Sequence, residues 1–196
     1  MEEHVVAYRG ICLSEAMEAV GKQHYAGAEE RKFLNKIEIK AVFGCGVYLV
    51  SNYTIAAEYA YCHAEVNSDK GSVIRQTVHF RNPMRLDGCF GEKELRSLAL
   101  AWKYPNGTIE KEVLEQEGME LSRWAGNIIR EYLITLGYDG VVYHISDELT
   151  YYIAYNPGEQ ISQVELDFVY NLEDLQNYTF SDLRHQYRTG GRHTAI

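Results

Sequence analysis

Three separated segments of this 196-residue chain each place a polar or aromatic side chain beside glycine. The first is Tyr8-Arg9-Gly10, which closes a short apolar run from His4. An arginine at the end of a buried strand can grip a phosphate or a ribose with its planar fork of donors. The glycine beside it lets a flat ligand approach main-chain N–H and C=O groups. Pairing with a surface carboxylate is the other reading of the same arginine. The second segment is Phe43-Gly44-Cys45-Gly46-Val47-Tyr48, followed eleven residues later by Tyr59. Glycine-x-glycine is a weak phosphate signal, and a strand follows it where a Rossmann motif requires a helix. The pattern reads better as backbone thinned for close packing, with Tyr48 exposed at the strand start. Tyr59, on the next helix, faces with Ile55 and Cys62. Two tyrosines so placed could hold a planar aromatic ring such as nicotinamide, although each alone also fits ordinary core packing. The third segment runs Gly137-Tyr138-Asp139-Gly140-Val141-Val142-Tyr143, then Asp147-Glu148, then Tyr151-Tyr152-Ile153-Ala154-Tyr155-Asn156-Pro157. It reads as a helix stop, a strand, a loop carrying two carboxylates and a returning strand.

The elements that must position these groups are mixed. Residues 4–9 read as a buried strand, and Leu13 to Val20 as a helix with Ser14 as N-cap and Gly21 as its end. Lys22 to Lys40 is polar and reads as a loop with one irregular helical piece. Asn52 can cap a helix from Tyr53 to about His63. Gly71 to Phe80 reads as a long strand that Arg81-Asn82-Pro83 ends. Charged helical pieces flank the turn at Pro105-Asn106-Gly107. The clearest helix runs from about Met119 to Leu136, where Leu121, Trp124, Ala125, Ile128, Ile129, Leu133 and Leu136 form one apolar stripe and Gly137 supplies the stop. Strand-like runs follow at residues 141–143, 151–155 and 161–170. Nothing repeats and no linker divides the chain, so one α+β domain over residues 1–196 is the simplest architecture, with an insertion at 88–118 and a flexible tail from about 184.

Composition narrows the function classes. Hydrophobic residues make up 46% of the chain, enough for a sizeable core without disulfides or metal. Sixteen tyrosines against six phenylalanines favour clefts and interfaces, where an apolar ring with a polar edge is useful. A net charge of −9 argues against a basic sheath on nucleic acid. It leaves room for a local patch, and Arg184, His185, Arg188, Arg192 and His193 cluster near the end; interrupted by Gly190 and Gly191, they read as a solvated tail. Cys12, Cys45, Cys62 and Cys89 lack metal-ligand spacing. No signal peptide or membrane-length apolar run is visible, so the expected setting is cytoplasmic, with delivery into a target cell as a variant.

Taken in order, the three segments resemble the ADP-ribosyltransferase superfamily, and its poly(ADP-ribose) polymerase-like, diphtheria-toxin-like branch in particular. Phe43-Gly44-x-Gly46-Val47-Tyr48 with Ala57-x-Tyr59 is similar to that branch's nicotinamide-pocket signature. The strand from Val73 to Phe80 with Asn82-Pro83, the Gly-Tyr-Asp-Gly-Val turn, and Tyr152-Ile153-x-Tyr155 running into Gln160-Ile161 follow in the family's order. The likeness spans roughly Val5 to Ile161 and leaves Gly88 to Gly118 unmatched. It implies an α+β fold with a split β-sheet core and surrounding helices, and NAD as substrate without a metal.

Position by position, the resemblance implies that Arg9 supports the phosphates and ribose of NAD. Gly10 would bond the nicotinamide amide, Tyr48 and Tyr59 would hold its ring, and Gly46 and Ser51 would line the pocket. Ser51-Asn52-Tyr53-Thr54 is a poor copy of the serine-threonine-serine stretch of the arginine class. The largest departure is Tyr151, which stands where the polymerase-like branch carries its catalytic glutamate; Glu148 is the nearest carboxylate that a short loop could deliver instead. The implied activity is mono-ADP-ribosyl transfer to a macromolecular acceptor, with protein favoured and nucleic acid second. An NAD glycohydrolase and a non-catalytic NAD- or ADP-ribose-binding module are the alternatives.

Overall fold

The computed structural model describes residues 3–25, 41–107 and 118–190. Most of the Lys22 to Lys40 stretch, read as a loop with one irregular helical piece, lies outside these described residues from position 26 on, as do the stretch 108–117 and the basic tail beyond Gly190. Within them the chain is mixed α+β, with seven strands and six helices. The order is β1 (Glu3–Cys12), α1 (Leu13–Lys22), β2 (Val47–Val50), α2 (Tyr53–Asn67), β3 (Gly71–Phe80), β4 (Pro83–Leu86), α3 (Glu92–Lys103), α4 (Gly118–Thr135), β5 (Gly140–Ser146), β6 (Leu149–Ala154), α5 (Pro157–Gln160), β7 (Ile161–Tyr170) and α6 (Phe180–Thr189). A 3-10 turn, Leu172–Gln176, precedes α6. The chain divides into two compact units.

One unit holds β1, α1, the end of β2, α2, β3, β7 and α6. Its strands hydrogen-bond in the order β2, β1, β3, β7, with Tyr8 opposite Val50 and β3 antiparallel to β7 from Gly71↔Tyr170 to Val78↔Ile161. A register shift near Gln163, whose φ is 54°, bends β7. α2 packs a nearly all-alanine face inward: Ala56, Ala57, Ala60 and Ala64 are fully buried. Small side chains let its backbone approach the sheet, and Gly10 completes the fit, because a Cβ there would overlap the Ala56 carbonyl and come within 2.6 Å of the Ala60 nitrogen. Asn52 caps α2 as its sequence position suggests, accepting from the Thr54 N–H at 2.8 Å. At α1 the sequence expectation needs correction. Cys12, not Ser14, occupies the N-cap, and the Ser14 N–H donates instead to the Asp69 carboxylate at 2.9 Å.

The other unit holds the start of β2 together with β4, α3, α4, β5 and β6. β4 runs parallel to β5, with Pro83↔Gly140, and β5 pairs antiparallel with β6. Its core gathers Phe43, Leu86, Leu95, Ala99, Ile128, Ile129, Leu133, Val141, Ile153 and Tyr155. Leu95 and Ala99 of α3 come from the stretch read as an insertion, so that stretch supplies core. The helical stripe read over Met119 to Leu136 is α4, and Gly137 ends it at φ 81°. The Asp139 carboxylate then accepts the Arg81 N–H at 2.7 Å and the Asn82 N–H at 3.2 Å. The Gly-Tyr-Asp-Gly turn is thus a clasp on the corner that leads into β4.

For its described residues, the tail reading of the basic cluster is also corrected. Arg184 and Arg188 stand on α6, whose N-cap Thr179 forms a capping box with Asp182. Both arginines pair with Asp167 of β7, the Arg184 Nε at 2.7 Å from Oδ2, and the Asp167 side chain is 2% exposed. The Arg184 guanidinium also lies 3.9 Å over the Tyr53 ring and 5.5 Å over the Tyr8 ring. Two cations share one buried anion, and one of them also lies over two aromatic faces, which fastens the helix to its sheet.

Candidate functional site

Arg9, singled out for chemistry, is almost fully buried, with 3% of its surface exposed. Side chains alternate along a strand. Tyr8, whose ring meets Tyr53 of α2 at 6.1 Å, and Gly10, which abuts Ala56, therefore face α2. Arg9 leaves β1 on the opposite face. There its guanidinium carbon lies 4.6 Å from the centroid of the Tyr25 ring. Tyr25 is itself 3% exposed, and its hydroxyl donates to Oε1 of Gln76 on β3. Gln76, at 1% exposure, donates from Nε2 to the Ala7 carbonyl at 3.3 Å. The ring of contacts closes on itself: Ala7 and Arg9 from β1, Gln76 from β3, and Tyr25 beyond α1. Neither Tyr25 nor Gln76 was singled out in the sequence. The one available signal was a lone aromatic ring just past the end of an amphipathic helix.

In the same unit, Ser51 follows β2 half-buried, and Tyr59 lies half-buried on α2 beside the fully buried Ala60. Gly10 was assigned to ligand approach, whereas the space its missing Cβ leaves is filled by the α2 backbone.

Gly46, Tyr48, Glu148 and Tyr151 belong to the other unit. Tyr48 was expected to be exposed at the start of its strand. It is half-buried, and its hydroxyl turns back into the preceding loop, donating to the Gly44 carbonyl at 2.7 Å and accepting from the Phe43 N–H at 3.2 Å. Burial pushes the Tyr48 phenol above its ordinary range, partly opposed by the Phe43 N–H and reinforced by Cys45. The Tyr155 hydroxyl donates to the Phe43 carbonyl at 2.8 Å, and its ring lies 5.4 Å from the Arg130 guanidinium carbon. Burial raises the Tyr155 phenol as well. Gly44 stands at φ 82°, and a Cβ on it would come within 2.6 Å of both Arg130 Cβ and the Gly126 carbonyl of α4. A Cβ on Gly46 would come within 2.8 Å of the Ala154 carbonyl. The glycine-rich signature therefore makes a knot in which two phenols and three glycines, Gly44, Gly46 and Gly126, bind the loop to α4 and β6.

Asp147 and Glu148 form the two-residue turn of the β5–β6 hairpin, with Ser146 paired to Leu149, and both are exposed. Tyr151 lies opposite Tyr143, and both pack on the core around Ile153. Tyr152 takes the other face and stacks on Phe80 at 6.4 Å. Tyr151, which the family resemblance sets at a carboxylate position, is thus a core-packing side chain.

A second polar cluster in the first unit lies outside the sequence reading. His79 Nε2 is 2.6 Å from the Ser162 hydroxyl, and His79 Nδ1 is 2.6 Å from His4 Nδ1. Among the described residues no group of three or more His, Cys, Asp or Glu side chains could hold a metal ion, and no helix is long and apolar enough to cross a membrane.

No protein-family model matches the chain, and no curated protein matches it. Among solved structures, the chain is similar to one from the M. tuberculosis MbcT-MbcA toxin-antitoxin complex at 13% sequence identity, over 94% of this chain and 91% of that one, with a TM-score of 0.36. Likeness at that score identifies neither a fold nor an activity.

Proposed function

We propose that the chain is a mono-ADP-ribosyltransferase that uses NAD as donor, on an ADP-ribosyltransferase-like split-sheet core. The observation that carries this reading is Arg9. It is an almost fully buried guanidinium, held face-on to Tyr25 on the strand where the family resemblance places its NAD-binding arginine. Guanidinium N–H donors are the groups that meet phosphate or ribose oxygens in such sites. The reaction releases nicotinamide from C1′ of the ribose as the acceptor's nucleophile bonds to that carbon and gives up its proton. Orientation lowers the barrier to such a displacement, and Arg9 supplies it from the phosphate side.

The placement of Glu148 on an exposed turn, and of Tyr151 on the core, favours a second reading: a module that binds NAD or ADP-ribose without turning it over. One experiment separates the readings. Purified protein is incubated with labelled NAD, alone and with a cell lysate, and both free nicotinamide and macromolecular label are measured. A transferase releases nicotinamide in step with labelling of an acceptor, and Arg9→Lys, which keeps the charge but loses the fork, abolishes both. Release without an acceptor identifies a glycohydrolase. Calorimetric binding without turnover, indifferent to Glu148→Gln, identifies the binding module. Absence of NAD binding removes the reading altogether.

A further inference from the structure

The strand that carries Arg9 does not by itself fix where the guanidinium points. An arginine has several freely rotating bonds, and freezing them costs conformational entropy. The closed ring of contacts around Arg9 supplies the constraint. Tyr25 presents its face to the guanidinium at 4.6 Å, Gln76 holds the Tyr25 hydroxyl, and the Ala7 carbonyl, two residues from Arg9 on the same strand, holds Gln76. All three side chains are at most 3% exposed. A desolvated cation over an aromatic face is a strong contact for its size, and buried polar groups with satisfied partners rigidify their surroundings.

We propose that Tyr25 and Gln76 are positioning residues that set the Arg9 guanidinium for an anionic ligand, a dinucleotide diphosphate under the reading above, on which this inference rests. Tyr25 acts as a fixed wall and not as a swinging cover. A cover must be lightly held, whereas the Tyr25 hydroxyl is anchored through Gln76 to the strand that bears Arg9. The sequence separates the parts: Tyr25 follows α1 while Gln76 sits in the middle of β3. The ring therefore also ties the end of α1 to the sheet.

The test uses the full chain and three variants. Tyr25→Phe keeps the aromatic face and removes the anchor, Tyr25→Leu removes both, and Gln76→Leu removes the anchor from the other side. Two readouts are taken on each. The first is the Arg9 Nε–H resonance by NMR without ligand, assigned through its loss in Arg9→Lys. The second is NAD affinity by calorimetry. In the wild type the Arg9 resonance is expected to be sharp and slow to exchange. It should broaden in Tyr25→Phe and Gln76→Leu and vanish in Tyr25→Leu. NAD affinity should fall about tenfold in Tyr25→Leu, less in Tyr25→Phe. An unchanged Arg9 resonance overturns the proposal. So does unchanged NAD affinity, and so does tighter NAD binding in Tyr25→Leu, which would make Tyr25 a cover. If the resonance responds as described while the wild type binds no NAD, the positioning role stands and the NAD reading fails. Tyr25→Phe, with its ring volume kept, is the arm that survives if Tyr25→Leu does not fold.

Discussion

At the scale of single residues, the two tyrosines most closely tied to the glycine-rich loop act through their hydroxyls. Tyr48 satisfies both the Gly44 carbonyl and the Phe43 N–H, so Tyr48→Phe leaves two buried backbone groups short of a partner. Losing such bonds costs about 1–3 kcal/mol, and the urea midpoint of Tyr48→Phe should fall accordingly. The same phenol makes a prediction about pH. Burial raises Tyr48 and Tyr155 above the ordinary tyrosine value near 10. The folded state therefore keeps these protons to higher pH than the unfolded chain does. Their contribution is complete below about pH 10 and is lost as pH climbs toward the raised folded values. Urea midpoints measured at pH 9 and pH 11 should drop steeply in the wild type and less steeply in a Tyr48→Phe, Tyr155→Phe double variant. Equal slopes would show that these phenols ionise freely. What the sequence disclosed here was residue type and spacing. It could not show which way each phenol turned, because the partner of Tyr48 is a carbonyl in a left-handed glycine four residues earlier, and the partner of Tyr155 lies more than a hundred residues away.

Elements were legible where one periodicity sufficed. β3 and β7 have the bounds that their apolar runs define, and α4 follows its stripe to within a residue or two. β4 was missed because it is four residues long and begins at Pro83, and because only its parallel pairing with β5 makes it a strand. Proline at the first position of such a strand forfeits no needed N–H. α6 was missed because its one buried apolar side chain is Leu183 and its real anchor, Asp167, lies on another element. That anchor is testable. Asp167→Asn keeps the volume but leaves Arg184 without its buried anion, a change that costs about 3–5 kcal/mol in comparable sites. The thermal midpoint should fall, and amide exchange should rise first in α6. The contact of β1 with α2 is equally specific. Gly10→Ala forces backbone apart and should cost about 3 kcal/mol or more. Gly21→Ala, in α1 with nothing within 4 Å of the added carbon, should be neutral or should stabilise by about 0.5–1 kcal/mol. Paired denaturation curves read both, and similar midpoints for the two variants would contradict the packing described.

At the scale of the whole molecule, charge decides which acceptor the proposed transfer favours. The chain carries a net charge of −9 with a pI near 5.3. A polyanion acceptor would have to find a basic surface strong enough to offset that field, because nucleic-acid affinity rests largely on neutralised phosphates. The basic cluster near the end of the chain was the sequence's best source of one, and the described part of it is partly spent: Arg184 and Arg188 both pair with Asp167 inside their own unit. A neutral or mildly basic protein surface meets no such barrier, and opposite charge would speed its encounter. Labelled NAD supplied with a lysate should therefore place its label on material that protease destroys and RNase and DNase leave intact. Raising the salt from low to physiological ionic strength should slow labelling through screening of that attraction. Label that survives protease and disappears with nuclease would mean that a local surface outweighs the net charge, and the protein-acceptor assignment would be lost while the role proposed for Arg9 toward NAD would still stand.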